Sequence, residues 1–223
     1  NHLSILNKTK TIEEKEFYIK MNIKERWSKR ELERQIDSSL FERYITADKP
    51  KKVLNLIPEN KILDLNKHLK DEYVLEFLDL KKEYSEKELE RAILSNLRDF
   101  FLEFGKKFAF IGSQYVVDVG GRENRIDLLF YHRELKCLVA IDLKIGEFRA
   151  SHVGQMQKYL SALDEKVKLP EEKESIGLIL CKSKNHEEVK FALAKTLSPM
   201  KVATYKTMLP DKKLIEDCLV KNA

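Results

Sequence analysis

The chain has 223 residues, 43% of them hydrophobic and 35% charged, with a formal net charge of +5. That length suits one large domain or two small ones, and the charge exceeds the ~25% usual in globular proteins. The mild excess of base is compatible with a polyanionic partner without requiring one. No apolar run approaches the ~20 residues of a membrane-spanning helix, and no stretch reads as a signal peptide. The three cysteines, Cys137, Cys181 and Cys218, have no short spacing, which argues against a disulfide framework or a zinc site. They read as reduced, buried thiols, and so as a cytoplasmic protein. The first residue is Asn1 rather than methionine, as in a fragment of a longer protein.

Residues 1–46 read as helices. Thr11 with Glu14, and Ser28 with Glu31, fit the capping-box pattern that satisfies free amides at a helix start. After the second cap, Leu32, Ile36, Leu40 and Tyr44 recur at spacing four, one apolar stripe of a helix. Lys29, Arg30 and Arg34 lie on this helix and are candidates for contact with nucleic-acid phosphates. Glu31, Glu33 and Asp37 are interleaved with them, which favours an ordinary solvated face over base-specific reading. The prolines and lysines of Asp48-Lys49-Pro50-Lys51-Lys52 and Pro58-Glu59-Asn60 mark a connector. The expected division is a helical domain over 1–66 and an α/β domain over 67–223.

In the second part, Tyr73, Val74, Phe77 and Leu78 suggest a short helix. Ser85 with Glu88 opens a long helix that carries Leu89, Ile93, Leu97, Phe100 and Phe104 and stops at Gly105. Strands are expected near 108–118, 125–132 and 135–144, with 120–124 as a turn. Ser151 then caps a helix to about Asp164. The strand Ile176–Cys181, a helix from Asn185 and a last strand over Val202–Lys206 follow.

The middle of this run carries the chemistry. Arg125 to Tyr131 and Leu135 to Lys144 are apolar strands joined by the short polar linker His132-Arg133-Glu134, an antiparallel hairpin. With alternating faces, Asp142 and Lys144 share one face, and Asp127 shares a face with Leu129 and Tyr131. Buried charge needs a partner or it is neutralised, and a divalent cation is one candidate. There is no Gly-rich phosphate loop and no G-x-S-x-G element, so nucleotide hydrolysis and serine hydrolysis have no support.

Asp127, a spacer, then Asp142-Leu143-Lys144 resembles the signature of the PD-(D/E)XK nuclease superfamily, with Asp where Glu is commoner. The flanking text, Phe108 to Gly112, Ile145-Gly146-Glu147-Phe148 and Ile176 to Ser183, is similar to the YhcG-like branch. So is Trp27 to Ile36 in the helical part, which in that branch is a helix-turn-helix-like module. The resemblance implies an α/β, restriction-endonuclease-like αβββαβ core behind a separate helical N-terminal region. It implies a metal-dependent nuclease acting on DNA, with Mg²⁺ or Mn²⁺ held by Asp127, Asp142 and the Leu143 backbone carbonyl. Lys144 would orient or deprotonate water. Gln155 and Tyr159, four apart on the next helix, resemble a QxxxY element that contacts the site. Glu103, with Asn96 seven residues earlier, is the candidate for a helix-borne acid. Arg122, Arg125 and Arg149, with Lys29 and Arg30, are the candidate backbone contacts. No small-molecule cofactor and no membrane are expected, and cutting both strands would call for a homodimer. The alternative is a domain that keeps the fold, binds nucleic acid and does not cleave, its three charges forming a satisfied ionic triad.

Overall fold

The computed structural model describes residues 2–47, 65–194, 196 and 198–208. These fall into two compact units, one within residues 2–47 and one within 65–207. Most of the expected connector, and Cys218, lie outside the described residues.

The described residues of the first unit form four helices: α1 (His2–Lys8), α2 (Ile12–Glu25), α3 (Lys29–Asp37) and α4 (Leu40–Ala47). Thr11 Oγ1 accepts from Glu14 N and Ser28 Oγ accepts from Glu31 N, so both expected caps form. The expected continuous stripe is broken. Ser39 has φ +54, the chain turns there, and Leu32 and Ile36 are buried while Tyr44 is exposed. Ile5, Tyr18, Leu32 and Ile36 make the core of this unit. The Tyr18 hydroxyl donates to Gln35 O and accepts from Phe41 N, which ties α2 to the α3–α4 junction.

The second unit is built on one six-stranded mixed sheet. In chain order it contains β1 (Glu72–Val74), a 3₁₀ turn (Glu76–Leu78), α5 (Glu86–Ser95), α6 (Leu97–Phe104), β2 (Phe108–Val119), β3 (Arg122–His132), β4 (Cys137–Leu143), α7 (Ala150–Lys166), β5 (Ile176–Cys181), α8 (His186–Leu193) and β6 (Met200–Lys206). The spatial order is β1-β6-β5-β4-β3-β2. β2, β3 and β4 form an antiparallel meander, and β5 and β6 add in parallel. This is the expected helix, three strands, helix, strand core.

Several details differ from the sequence expectation. Tyr73 and Val74 lie in a short edge strand, not a helix. Pairing with β6 decides this, and that partner lies far away in sequence. The long helix is two helices. Asn96, at φ −120, ends α5: its backbone N–H is shared between Ala92 O and Ile93 O, and its side chain also donates to Ala92 O. The β2–β3 turn is shorter than expected. Gly120 and Gly121 alone make it, with φ +61 and +76, the left-handed pair that a tight hairpin requires. Arg149, not Ser151, is the residue at the start of α7.

Two apolar layers cover the sheet. One packs α5 and α6 on Leu128, Phe130, Val139, Ile141 and Leu143; the other packs α7 on Ile126, Leu129, Ala140, Ile179 and Val202. The second layer is tight at Gly177. A Cβ there would lie 2.5 Å from Met156 Cγ and 2.7 Å from its Sδ, and Met156 is fully buried. Gly177→Ala is therefore expected to lower stability by about 1–3 kcal/mol. Urea unfolding of Gly177→Ala, Met156→Ala and the double variant checks this. The double variant should lose less than the two single losses combined.

Candidate active site

The site forms where two strands part. The β3–β4 ladder runs from His132↔Cys137 to Leu128↔Ile141. One step further, the same register sets Asp127 opposite Asp142. There the strands open, and Leu143 N donates to Asp127 Oδ2 at 2.8 Å instead of to a strand partner. Ile141 and Leu143 pack in the layer of α5 and α6, while Asp142 and Lys144 meet each other away from it, on one side as expected. On β3 the strict alternation fails at Asp127. Ile126 packs in the same layer as Leu129, while Leu128 and Phe130 pack in the other. Asp127 sits at this change of side and reaches Leu143 N and Gln114 at the opening rather than the face shared with Leu129 and Tyr131.

Asp142 is 1% exposed. Lys144 Nζ donates to its Oδ1 at 2.9 Å, while Oδ2 is buried with no hydrogen-bond partner. Burial pushes the Asp142 carboxyl up to about 6; Lys144 opposes this and the charge of Asp127 adds to it. Burial is the largest single influence on the Lys144 ammonium and works against it, but the charge and hydrogen bond of Asp142, with the charges of Glu86 and Asp127, together outweigh it, so Lys144 sits above its ordinary value. Both groups therefore move upward, for opposite reasons: burial wins at the acid, the more deeply buried partner, and the neighbouring acids win at the lysine. Asp127 is raised too, by burial first, against the stabilising hydrogen bond from Leu143 N and the charge of Lys144.

Two further residues join the group. Glu90 on α5 is buried, and its carboxyl is raised by burial, with Asp127 adding to the effect. Gln114 on β2 stands opposite Asp127. Its Nε2 donates to Glu90 Oε2 at 2.7 Å and to Asp127 Oδ1 at 3.2 Å. Sequence reasoning missed both. The only available signal was that Glu90 flanks the apolar pair Leu89 and Ile93 on the helix facing the sheet.

From α7, Gln155 Nε2 donates to the Tyr159 hydroxyl at 2.6 Å. Tyr159 is buried in the α7 layer and also lies within electrostatic reach of Asp142, Asp127 and Lys144. His152 Nδ1 accepts from Arg149 N at 3.1 Å. Burial, then the charges of Lys144 and Arg149, hold its imidazole below the usual value.

Other expected residues lie elsewhere. Glu103 does not join the group: its carboxylate accepts from Val74 N at 2.9 Å and pairs with Lys70 at 3.0 Å, which secures β1. The break at Asn96 separates α6 from the helix that carries Glu90. Arg122 and Arg125 are exposed near the Gly120–Gly121 turn, and Arg125 lies 3.7 Å from Glu123. Lys29 and Arg30 are exposed on α3 of the other unit, with Lys29 3.9 Å from Glu33.

The donor set fits a hard divalent cation. Two acids, Asp127 and Asp142, stand beside the Lys144 ammonium, with Glu90 reaching Asp127 through Gln114, and Asp142 Oδ2 is a buried oxygen left without a donor. Among the described residues, no group of three or more His, Cys, Asp and Glu side chains is arranged to hold an ion. Two carboxylates supplemented by water and substrate phosphates are the usual way Mg²⁺ is held.

Residues 66–219 match the family model of the YhcG PDDEXK nuclease domain, and residues 1–43 match the DUF1016 N-terminal domain. The chain belongs to the YhcG family. Its core is the restriction-endonuclease-like αβββαβ arrangement of that family, preceded by the helical unit. YhcG of Escherichia coli (strain K12), which carries its nuclease designation provisionally, is 40% identical over 213 residues, covering 95% of this chain and 57% of that protein. The chain thus spans a little over half the length of this YhcG relative. Solved structures that match part of the chain include a repair endonuclease from Pyrococcus abyssi, at 20% identity over 59% of this chain and 50% of that one, with a TM-score of 0.38. An EndoMS complex with double-stranded DNA matches at 17% identity over 60% of this chain and 48% of that one, with a TM-score of 0.40.

Proposed function

We infer that this YhcG-family chain hydrolyses DNA phosphodiester bonds with Mg²⁺ or Mn²⁺. The observation that carries this reading is the convergence of Asp127, Asp142 and Lys144 at the parting of β3 and β4, with Asp142 Oδ2 buried and unsatisfied. Asp127, Asp142 and the Leu143 carbonyl are the proposed ligands. The cation, when bound, supplies positive charge against the phosphate oxygens and lowers the pKa of a bound water. Lys144 orients the attacking water and offsets negative charge that develops on phosphorus. The water oxygen attacks phosphorus as its proton departs, the bond to the leaving oxygen breaks, and that oxygen is protonated. Gln155 and Tyr159 line the substrate side, and Arg149 meets a phosphate at the rim.

The domain division at about residue 66, DNA contact through Lys29 and Arg30 on α3 and through Arg122 and Arg125, and a homodimer that cuts both strands belong to the same reading. So does a cytoplasmic setting, which suits the two buried free thiols Cys137 and Cys181. Among the described residues, no helix is long and apolar enough to cross a membrane. The test is conversion of supercoiled plasmid to nicked and linear forms with Mn²⁺. Wild type is expected to cut, and Asp127→Ala to fall by at least about 100-fold, the scale on which losing one preorganised group lowers a rate. Equal activity in both would sink the assignment. Salt-sensitive DNA binding without cutting would choose the non-cleaving alternative, in which Lys144 merely neutralises Asp142.

A further inference from the structure

We propose that Gln114 is a positioning residue that holds Asp127 ready for the cation. The inference rests on the nuclease reading above.

Gln114 lies inside β2 yet has φ +47. In this left-handed region Cβ crowds the following carbonyl, and among non-glycine residues Asn and Asp are the usual visitors. The register of β2 against β3 shifts by one residue between Phe110 and Gly112, just upstream. Such an inserted residue re-aims the side chains that follow it, and such irregularities recur next to functional sites. The strained backbone has one visible result. It turns the Gln114 amide between two carboxylates carried by different elements, Glu90 from α5 and Asp127 from β3. An amide nitrogen has two hydrogens, so it serves both acceptors at once.

The consequence for Asp127 is geometric. Oδ1 accepts from Gln114 and Oδ2 accepts from Leu143 N, so the carboxylate is clamped from both sides and cannot rotate. Each oxygen retains a lone pair for an ion. Gln114 also keeps the Glu90 carboxylate from meeting Asp127 directly. Without the amide, Asp127 is held on one side only, and the buried Glu90 oxygen loses its donor. Outer partners that orient metal-binding carboxylates in this way typically change metal affinity by about 10–100-fold when removed.

Two variants separate this role from simple structural support. Gln114→Met keeps the length of the side chain and removes the donors. Gln114→Asn keeps an amide and suits the left-handed backbone, but is one methylene too short to reach both acids. Mn²⁺ affinity by titration calorimetry, and melting in EDTA, are measured for the wild type and both variants. Both variants are expected to bind Mn²⁺ about 10–100-fold more weakly, with Gln114→Asn melting no lower than wild type. Unchanged Mn²⁺ affinity in either variant overturns the proposal. Weak binding accompanied by collapsed metal-free melting in both also overturns it, because the residue is then structural. A wild type that neither binds Mn²⁺ nor cuts DNA removes the nuclease reading and this inference together. A wild type that binds, beside variants that bind equally well, removes the inference alone.

Discussion

Asp142→Asn is expected to abolish Mn²⁺-dependent cleavage while raising the melting temperature of the metal-free protein. The two effects have one cause. The Asp142 carboxyl is 1% exposed and stands near 6 against an ordinary 3.8, with burial the largest contribution. An acid raised in the folded state prefers to be protonated there. The folded state therefore carries a penalty that is absent below pH 3.8, grows as pH rises through about 6, and is complete at neutral pH. From the size of the shift, that penalty is on the order of 3 kcal/mol. Asparagine keeps the shape and an oxygen for the Lys144 ammonium, though it gives up the attraction between the two charges. A net gain of about 1–2 kcal/mol remains, or roughly 2–8 °C in a domain of this size.

Cleavage, by contrast, should fall by at least about 100-fold, because a neutral amide is a poor ligand and cannot balance the ion's charge. Melting scans in EDTA at several pH values, beside plasmid nicking in Mn²⁺, check both halves. The stability advantage of the variant should fade as pH drops from 6 toward 4, where wild-type Asp142 takes up its own proton. An inactive variant that is also less stable at pH 7.5 would mean that the lost activity reflects lost structure. The expected opposition between stability and activity is what a buried, under-satisfied charge at a functional site produces.

What the sequence disclosed about this site and what it concealed divide along physical lines. Asp142 and Lys144 were legible because a strand has a period of two, and two residues on one strand keep their relation whatever the tertiary context. Asp127 was legible as a partner because a short linker fixes the register of a hairpin. The side to which Asp127 turns was not legible, because the strict alternation of β3 fails there, where its ladder with β4 ends. Glu90 and Glu103 both lie on an apolar helical pattern. The choice between them was settled by the break at Asn96 and by the edge strand β1, which draws Glu103 to Val74 N. Three residues of β1 pair with a strand some 130 positions away, so neither periodicity nor propensity could announce it. Gln114 left no trace at all, since glutamine is an ordinary strand-surface residue. Its left-handed backbone accompanies a β2–β3 register shift and contacts to two acids on other elements, none of which local sequence encodes.

The second large effect expected is a loss of stability in mild acid caused by His132, at the opposite end of the β3–β4 ladder from the carboxylates. His132 is fully buried. Its Nδ1 accepts from Leu135 N at 3.0 Å, so the ring is neutral with its hydrogen on Nε2. Nε2 has no hydrogen-bond partner, and the ring meets Phe108 and His68 edge to face. Protonating Nδ1 would aim a hydrogen at the Leu135 amide. Burial first, then the neighbouring charges of His68 and Lys107, hold the imidazole down at about 4 against 6.5. A base lowered in the folded state contributes stability above its unfolded value and loses it as pH falls toward the folded one. Between pH 6.5 and 4 the unfolded chain binds a proton that the folded chain refuses, a loss of up to about 3 kcal/mol. The exposed acids Glu88, Asp118 and Glu134 are held low by their partners and weaken the fold only further down, below their unfolded values. Asp142 acts in the opposite direction between 6 and 3.8, so the wild-type curve alone mixes the two. His132→Asn separates them. Its side-chain oxygen takes the Leu135 amide and does not titrate, while its smaller size costs some packing at neutral pH. Urea midpoints measured from pH 7.5 to 4.5 should therefore start lower for the variant and converge on wild type as the pH falls. Two curves that stay parallel over that range would show that His132 accepts a proton in the folded state as readily as in the unfolded one.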